Sequence, residues 1–180
     1  MSLTDGHTTV GGDAPVSGPP GSIRARVSKH ALLPLRLFLG ATFLYAGIDK
    51  VTDPAFLASE GSGSLAQVLE SAREAAAVPA LIDLAQNDPR MFGIAIAAGE
   101  MAVGLGALVG LLTRLAAFGG VLISLSLWLT VSWSSDPYYY GNDLPYMMAW
   151  VPLMIAGAAT LSIDAVISRK RRRRGRHIFA

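Results

Sequence analysis

The run MFGIAIAAGEMAVGLGALVGLL (91–112) constrains the fold more than any other part of the chain. It holds a single charged residue, Glu100. A hydrocarbon core about 30 Å thick needs roughly 20 apolar residues in a helix. Inside lipid, an isolated segment can satisfy its backbone only by forming that helix. A second run, RLAAFGGVLISLSLWLTVSW (114–133), follows so closely that Thr113, with Arg114 at the head of the run, must turn the chain. That spacing predicts a tight helical hairpin. Two more runs have the required length: ALLPLRLFLGATFLYAGIDKV (31–51) and LPYMMAWVPLMIAGAATLSID (144–164). The expected fold is all-α: a four-transmembrane-helix bundle over 31–164, with an amphipathic outer segment between helices 1 and 2.

The placement of charge supports this more than the average does. Of 180 residues, 16% are charged, and they collect at the ends and in one middle segment. Membrane orientation follows lysine and arginine in the short connections. Arg24, Arg26 and Lys29 precede the first run, Arg114 sits at the second turn, and RKRRRRGR (169–176) follows the fourth. All fall on one side of a four-span topology, which reads as cytoplasmic. The other side holds 52–90, with six acids against Arg73 and Arg90, and 134–143, with Asp136 and Asp143. The expected location is a bacterial cytoplasmic membrane, multi-pass, with both termini cytoplasmic. Residues 1–30 form an N-terminal tail whose first 22 positions have a disorder-prone composition. Its polar lead is too long for a secretory signal, so uncleaved insertion is expected. Residues 165–180 form a polybasic tail, read as an anionic-lipid or topology anchor and not as a nucleic-acid patch.

Within the outer segment, SLAQVLESAREAAA (64–77) places Leu65, Val68, Leu69, Ala72 and Ala76 on one helical face. It reads either as an amphipathic lid or as a solvated connector, with Pro79 breaking or restarting the helix. Between lipid-facing helices, small residues promote association. The spacings Ala95/Gly99 and Gly106/Gly110 predict a groove on the second run. Asp143 is placed to cap the fourth helix, and Pro152 to kink it. Trp128, Trp133, Tyr138, Tyr139, Tyr140, Tyr146 and Trp150 gather toward the outer side. They fit an interfacial aromatic belt, and the same rings could hold a planar headgroup.

Glu100 is the strongest anomaly. Counted from Met91, it lies about 13 Å into the second helix. A charge at that depth must be paired, hydrated or neutralised. Two cations on the first helix are candidates, Lys50 toward the outer end and Arg36 toward the inner. Each is offset from Glu100 by about 10–12 Å along the bundle. The sequence does not choose between them. Either way, a polar pocket inside the bundle is expected, serving as a structural bond or as a ligand or proton-transfer site. Lys50 and Arg114 could instead snorkel to headgroups.

Other chemistry finds little support. His7, His30 and His177 form no facing pair and no metal-ligand spacing, so neither haem nor metal is expected. There is no cysteine, hence no thiolate chemistry within the chain. Phosphate-loop, nucleophile-elbow and zinc-protease motifs are absent. No cofactor is evident from the residues themselves.

RLFLGATFLYAGIDKV (36–51), GEMAVGLGALVGLLTRLAA (99–117) and GNDLPYMMAWVPLMIAG (141–157) together resemble the DoxX/DoxD family, the last in its DoxD-like branch. The resemblance covers roughly 36–157. It implies a four-helix membrane protein. In the DoxD branch it implies a subunit of thiosulfate:quinone oxidoreductase, which oxidises thiosulfate to tetrathionate and passes electrons to membrane quinone. A second oxidoreductase subunit or membrane redox complex would be the partner, alongside membrane lipids. The positions carried over are Arg36, Tyr45, Gly47, Lys50, Gly99, Glu100, Arg114 and Asp143. Catalytic candidates are Glu100, Lys50 and Arg36. Candidates for substrate or quinone contact are Tyr45, Arg114, Asp143 and Trp150. The competing expectation is a non-enzymatic scaffold or assembly subunit of a membrane redox or stress-response complex. A small-solute carrier is a third class, disfavoured by the lack of an inverted repeat.

Overall fold

The computed structural model describes residues 30–157 and 162–163. The expectations for the N-terminal tail, the end of the fourth run and the basic tail therefore lie mainly outside the described residues. Among the described residues the chain is all-helical. Helix α1 spans Leu33–Thr52, α2 Leu65–Ala72, α3 Pro79–Gln86, α4 Pro89–Val109, α5 Thr113–Thr130 and α6 Asp143–Ala156; a 3-10 turn covers Tyr138–Tyr140. Helices α4 and α5 are each long and apolar enough to cross a membrane. Helix α1 has the length but carries Arg36, Asp49 and Lys50, and the described α6 has only 14 residues.

Helix α1 packs along α4, α5 along α6, and α4 against α5. One core joins all four: Leu39 and Phe43 from α1, Val103 and Ala107 from α4, Ala117 from α5, Trp150 and Leu153 from α6. Phe43 meets Trp150 edge-on at 5.1 Å. The distribution of polarity is that of a membrane protein. Leu37, Phe38, Ile48, Leu105, Leu115, Phe118, Leu122 and Ile155 are exposed, while Arg36, Glu100, Thr113 and Ser124 are buried. Such a surface has water's preference reversed, and lipid is the solvent it suits.

The close seam between α1 and α4 differs from the expected groove. A Cβ on Gly104 would lie 2.5 Å from the Leu44 backbone nitrogen and 2.7 Å from the Gly40 carbonyl oxygen. One on Gly47 would lie 2.6 Å from the Ala97 carbonyl oxygen. Glycine at these positions lets the two backbones touch. By contrast, Gly99 and Gly106 face Ile123 and Ala116 of α5, and Ala95 is exposed. Spacing found small residues on α4, but rotation about the helix axis decided which of them meet α1.

The α4–α5 hairpin is tight, and its turn falls three residues earlier than expected. Gly110 ends α4 in the left-handed conformation (φ 70°), and the Leu111 N–H donates to the Gly106 carbonyl at 3.0 Å. This is the glycine-terminated helix end that satisfies orphaned carbonyls. Thr113 and Arg114 already belong to α5. The described helix α6 ends at Ala156, where Gly157 adopts φ 68°, ψ −168°. That backbone region is essentially restricted to glycine.

The outer segment folds as two short helices over one end of the bundle. Ser64 caps α2 by accepting from the Gln67 N–H at 3.2 Å. Pro79 starts α3, the position where its missing N–H costs least. Leu69, Ile82 and Ala85 form a small core, with Leu65, Ala72, Ala76 and Phe92 packed on it. The face read from the sequence therefore points inward. Gln86 donates to Glu70 at 2.8 Å, and Arg73 pairs with Asp83 at 2.7 Å. The hydrogen bond from Arg73 to Asp83 holds the guanidinium above its ordinary pKa. The N–H groups of Ala77 and Val78 both donate to the Leu129 carbonyl, at 3.0 and 3.2 Å, tying this cap to the end of α5.

Candidate functional site

Glu100 points into the bundle from α4, with only 4% of its side chain exposed. Its partner is Lys50. Lys50 Nζ donates to Glu100 Oε1 at 3.0 Å and lies 2.8 Å from Oε2, so the ammonium faces both carboxylate oxygens. A longer contact of 3.4 Å runs from Nζ to the Ala46 carbonyl of its own helix.

The α1–α4 seam makes this pair possible. Gly47 lies against Ala97 and Met101, level with Glu100. Lys50 is three residues further out on α1, about 4.5 Å along the axis. The expected offset of 10–12 Å was too large. It assumed helices beginning and ending at matched depths, whereas α4 extends outward to Pro89, beneath the α2–α3 cap.

Arg36 is not part of this pair. It is buried at the opposite end of the bundle, where its Nη1 would lie 3.4 Å from a Cβ placed on Gly110. Arg114 is also at that end, with its side chain against Gly157. Tyr45 is 72% exposed on the outside of α1. Trp150 is fully buried, its ring flat against Gly120, where a Cβ would come within 2.5 Å of Cε2. None of these four lines the cavity described next.

Asp143 does reach the site, in a different role from the cap expected of it. Asn142 occupies the N-cap position of α6 and makes no side-chain cap. The Asp143 carboxylate instead accepts a short hydrogen bond from the Ser132 hydroxyl. Like Lys50, it lines that cavity.

Beside these groups lies a cavity of about 230 Å³. Its walls are Phe56, Leu65, Val68, Phe92, Ile96, Leu127 and Val131, with Lys50 and Asp143 as the charged members. Leu65 and Val68 come from the inner face of α2, so the outer segment covers this space. Small-ligand sites commonly combine an apolar enclosure with a few convergent polar groups. Hydropathy alone could not have found Leu127 and Val131. Leu127 of α5 and Val131 just past its end look like any other apolar residues until α2 is folded over them.

The family model described as "TQO small subunit DoxD" matches residues 31–179. The chain belongs to the DoxD family. No curated protein and no solved structure matched it. The matched range contains α1 to α6, so Lys50, Glu100, Asp143 and the cavity all fall within the DoxD match. DoxD membership and the apolar helices make this a membrane protein, resembling a thiosulfate:quinone oxidoreductase small subunit.

Proposed function

We propose that the chain is the membrane subunit of a thiosulfate:quinone oxidoreductase, and that the covered cavity takes the quinone head. Helices α1, α4, α5 and α6 span the bacterial cytoplasmic membrane in this reading, and both termini are cytoplasmic. Support for the topology comes from the shared core of the four helices and the basic residues flanking one side. The observation that carries the functional reading is a lysine–glutamate pair, its carboxylate buried, at the edge of a small apolar cavity.

The chemistry of the lining suits a neutral, flat, largely apolar ligand with polar oxygens. Quinone, when bound, supplies a two-electron acceptor that also takes two protons. Lys50 would donate a hydrogen bond to a ring oxygen; the Glu100 carboxyl paired with it would supply one proton, and a second, taken up from the outer aqueous side, would complete the hydroquinone. Phe56 and Phe92 exclude water from the ring. Two thiosulfates joined as tetrathionate release the two electrons required. With no cysteine in this chain, the sulfur chemistry is assigned to a partner subunit. Arg36 and Arg114 are too far from the cavity to bind an oxyanion there.

The test is thiosulfate-dependent quinone reduction in membranes with and without the chain, and with Glu100→Gln. General acid–base groups typically contribute 10²–10⁴-fold. Glu100→Gln is therefore expected to lower the rate by about 100-fold or more while the protein stays in the membrane. Equal rates with and without the chain, at verified expression, overturn the enzymatic reading. Stable copurifying partners with no bound quinone would then favour the scaffold role.

A further inference from the structure

The cluster beside the cavity has an unbalanced charge. Glu100 and Asp143 are two acids; Lys50 pairs with Glu100 and lines the cavity together with Asp143. Fully ionised, the three would carry one excess negative charge. Among the described residues, no further charged side chain lines the cavity to offset it. Arg36 and Arg114 are at the far end of the bundle. On the outside of the cap, Arg73 pairs with Asp83, Glu70 accepts from Gln86, and Glu74 is exposed. Helix α5 contributes Ser132 from just beyond its end, a neutral group.

An uncompensated charge in a water-poor site is costly, and two carboxylates sharing a site tend to keep one proton between them. We propose that Lys50, Glu100 and Asp143 act as one unit that stores a single proton beside the cavity. The proton belongs to the pair of acids and not to either one, as in other coupled titrations. Asp143 is half-buried, follows the exposed Tyr138–Tyr140 turn and is the member nearer solvent, so it exchanges the proton with the outside. Glu100 is the deep member. A stored proton suits a ligand that is neutral when it arrives and protonated when it leaves. With its proton held, the unit carries no net positive charge to attract a dianion such as thiosulfate. This ligand assignment rests on the quinone reading above, whereas the proton itself does not.

Infrared spectroscopy of the full chain in lipid reads the proton directly, through the carbonyl stretch of a protonated carboxyl group. Wild-type protein at neutral pH is expected to show one such group that exchanges with deuterium. In Glu100→Gln, Asp143 is left to balance Lys50, and the signal is lost. In Asp143→Asn, Glu100 balances Lys50, and the signal is lost again. In Lys50→Met the signal rises, because the neutralising cation is gone. A wild-type spectrum without the signal overturns the proposal, as does a signal that survives in either carboxamide variant. Helical circular dichroism checks folding. If one carboxamide variant fails to fold, the other still decides. Binding of a soluble quinone analogue is measured on the same samples. Loss of binding with the proton signal intact removes the quinone reading alone. An absent signal in a chain that binds the analogue removes this inference alone.

Discussion

Substituting Gly104 by alanine tests the seam that brings Lys50 to Glu100. The added Cβ would lie 2.5 Å from the Leu44 nitrogen and 2.7 Å from the Gly40 oxygen. Both are backbone atoms, so no side chain can rotate away. Restoring the 3.4 Å of ordinary contact requires α1 and α4 to separate by about 0.9 Å. Gly104 is one turn from Glu100 on the same face of α4. Carried rigidly, that separation takes Lys50 Nζ from 3.0 Å to about 3.9 Å from Glu100 Oε1, beyond hydrogen-bond range. Overpacking of this kind costs about 1–3 kcal/mol. The natural control is Gly99→Ala, whose Cβ would meet only the flexible tip of Ile123 at 3.3 Å. Both changes gain about 0.5–1 kcal/mol from replacing glycine inside a helix. That gain cancels between them, and Gly104→Ala should be about 1–3 kcal/mol less stable than Gly99→Ala. Reversible unfolding of the full chain in mixed micelles, followed by helical circular dichroism, measures the difference. Equal stability of the two variants would refute the close-seam argument.

Lys50→Met should cost about 3 kcal/mol in the same assay, because it leaves Glu100 buried without its cation. Lys50→Met combined with Glu100→Gln should recover most of that loss; no recovery would mean that the charge pair is not the cause. Val68→Asp places a charge in the apolar lining from the α2 side and should weaken quinone-analogue binding by about tenfold or more. Equilibrium titration of the full chain checks this, and unchanged affinity would place the ligand elsewhere. Gly120→Ala pushes a Cβ into the Trp150 ring and should cost about 1–3 kcal/mol while shifting tryptophan emission. Unchanged emission and stability would show that the α5–α6 contact is loose.

The course of the chain was largely legible in its sequence. Apolar runs of sufficient length, separated by charged or glycine-bearing turns, located α1, α4, α5 and the start of α6 to within a few residues. The inward face of α2 was readable from Leu65, Val68, Leu69, Ala72 and Ala76, because that segment has a polar side to contrast with. The long helices have no such contrast. A residue facing lipid and a residue facing a helix can be equally apolar. Spacing therefore picked out Gly99 and Gly106, while the seam with α1 runs through Gly104. For the same reason Trp150 read as an outer-side aromatic and turned out to be core.

The sequence by itself determined that Glu100 needed an answer: a short acidic side chain in an apolar run cannot reach water by snorkelling. It also limited the first-helix cations to two, Lys50 and Arg36. Helix rise gives depth along one element, but it does not give the register between two. Only the tertiary structure set that register, by placing Gly47 against Ala97 and Met101, and so assigned Lys50 to Glu100 and Arg36 to the far end. It also brought in Asp143, 43 residues along the chain from Glu100, by folding α6 against α5. Partners that distant in sequence leave no local signal, because their proximity is a property of packing alone.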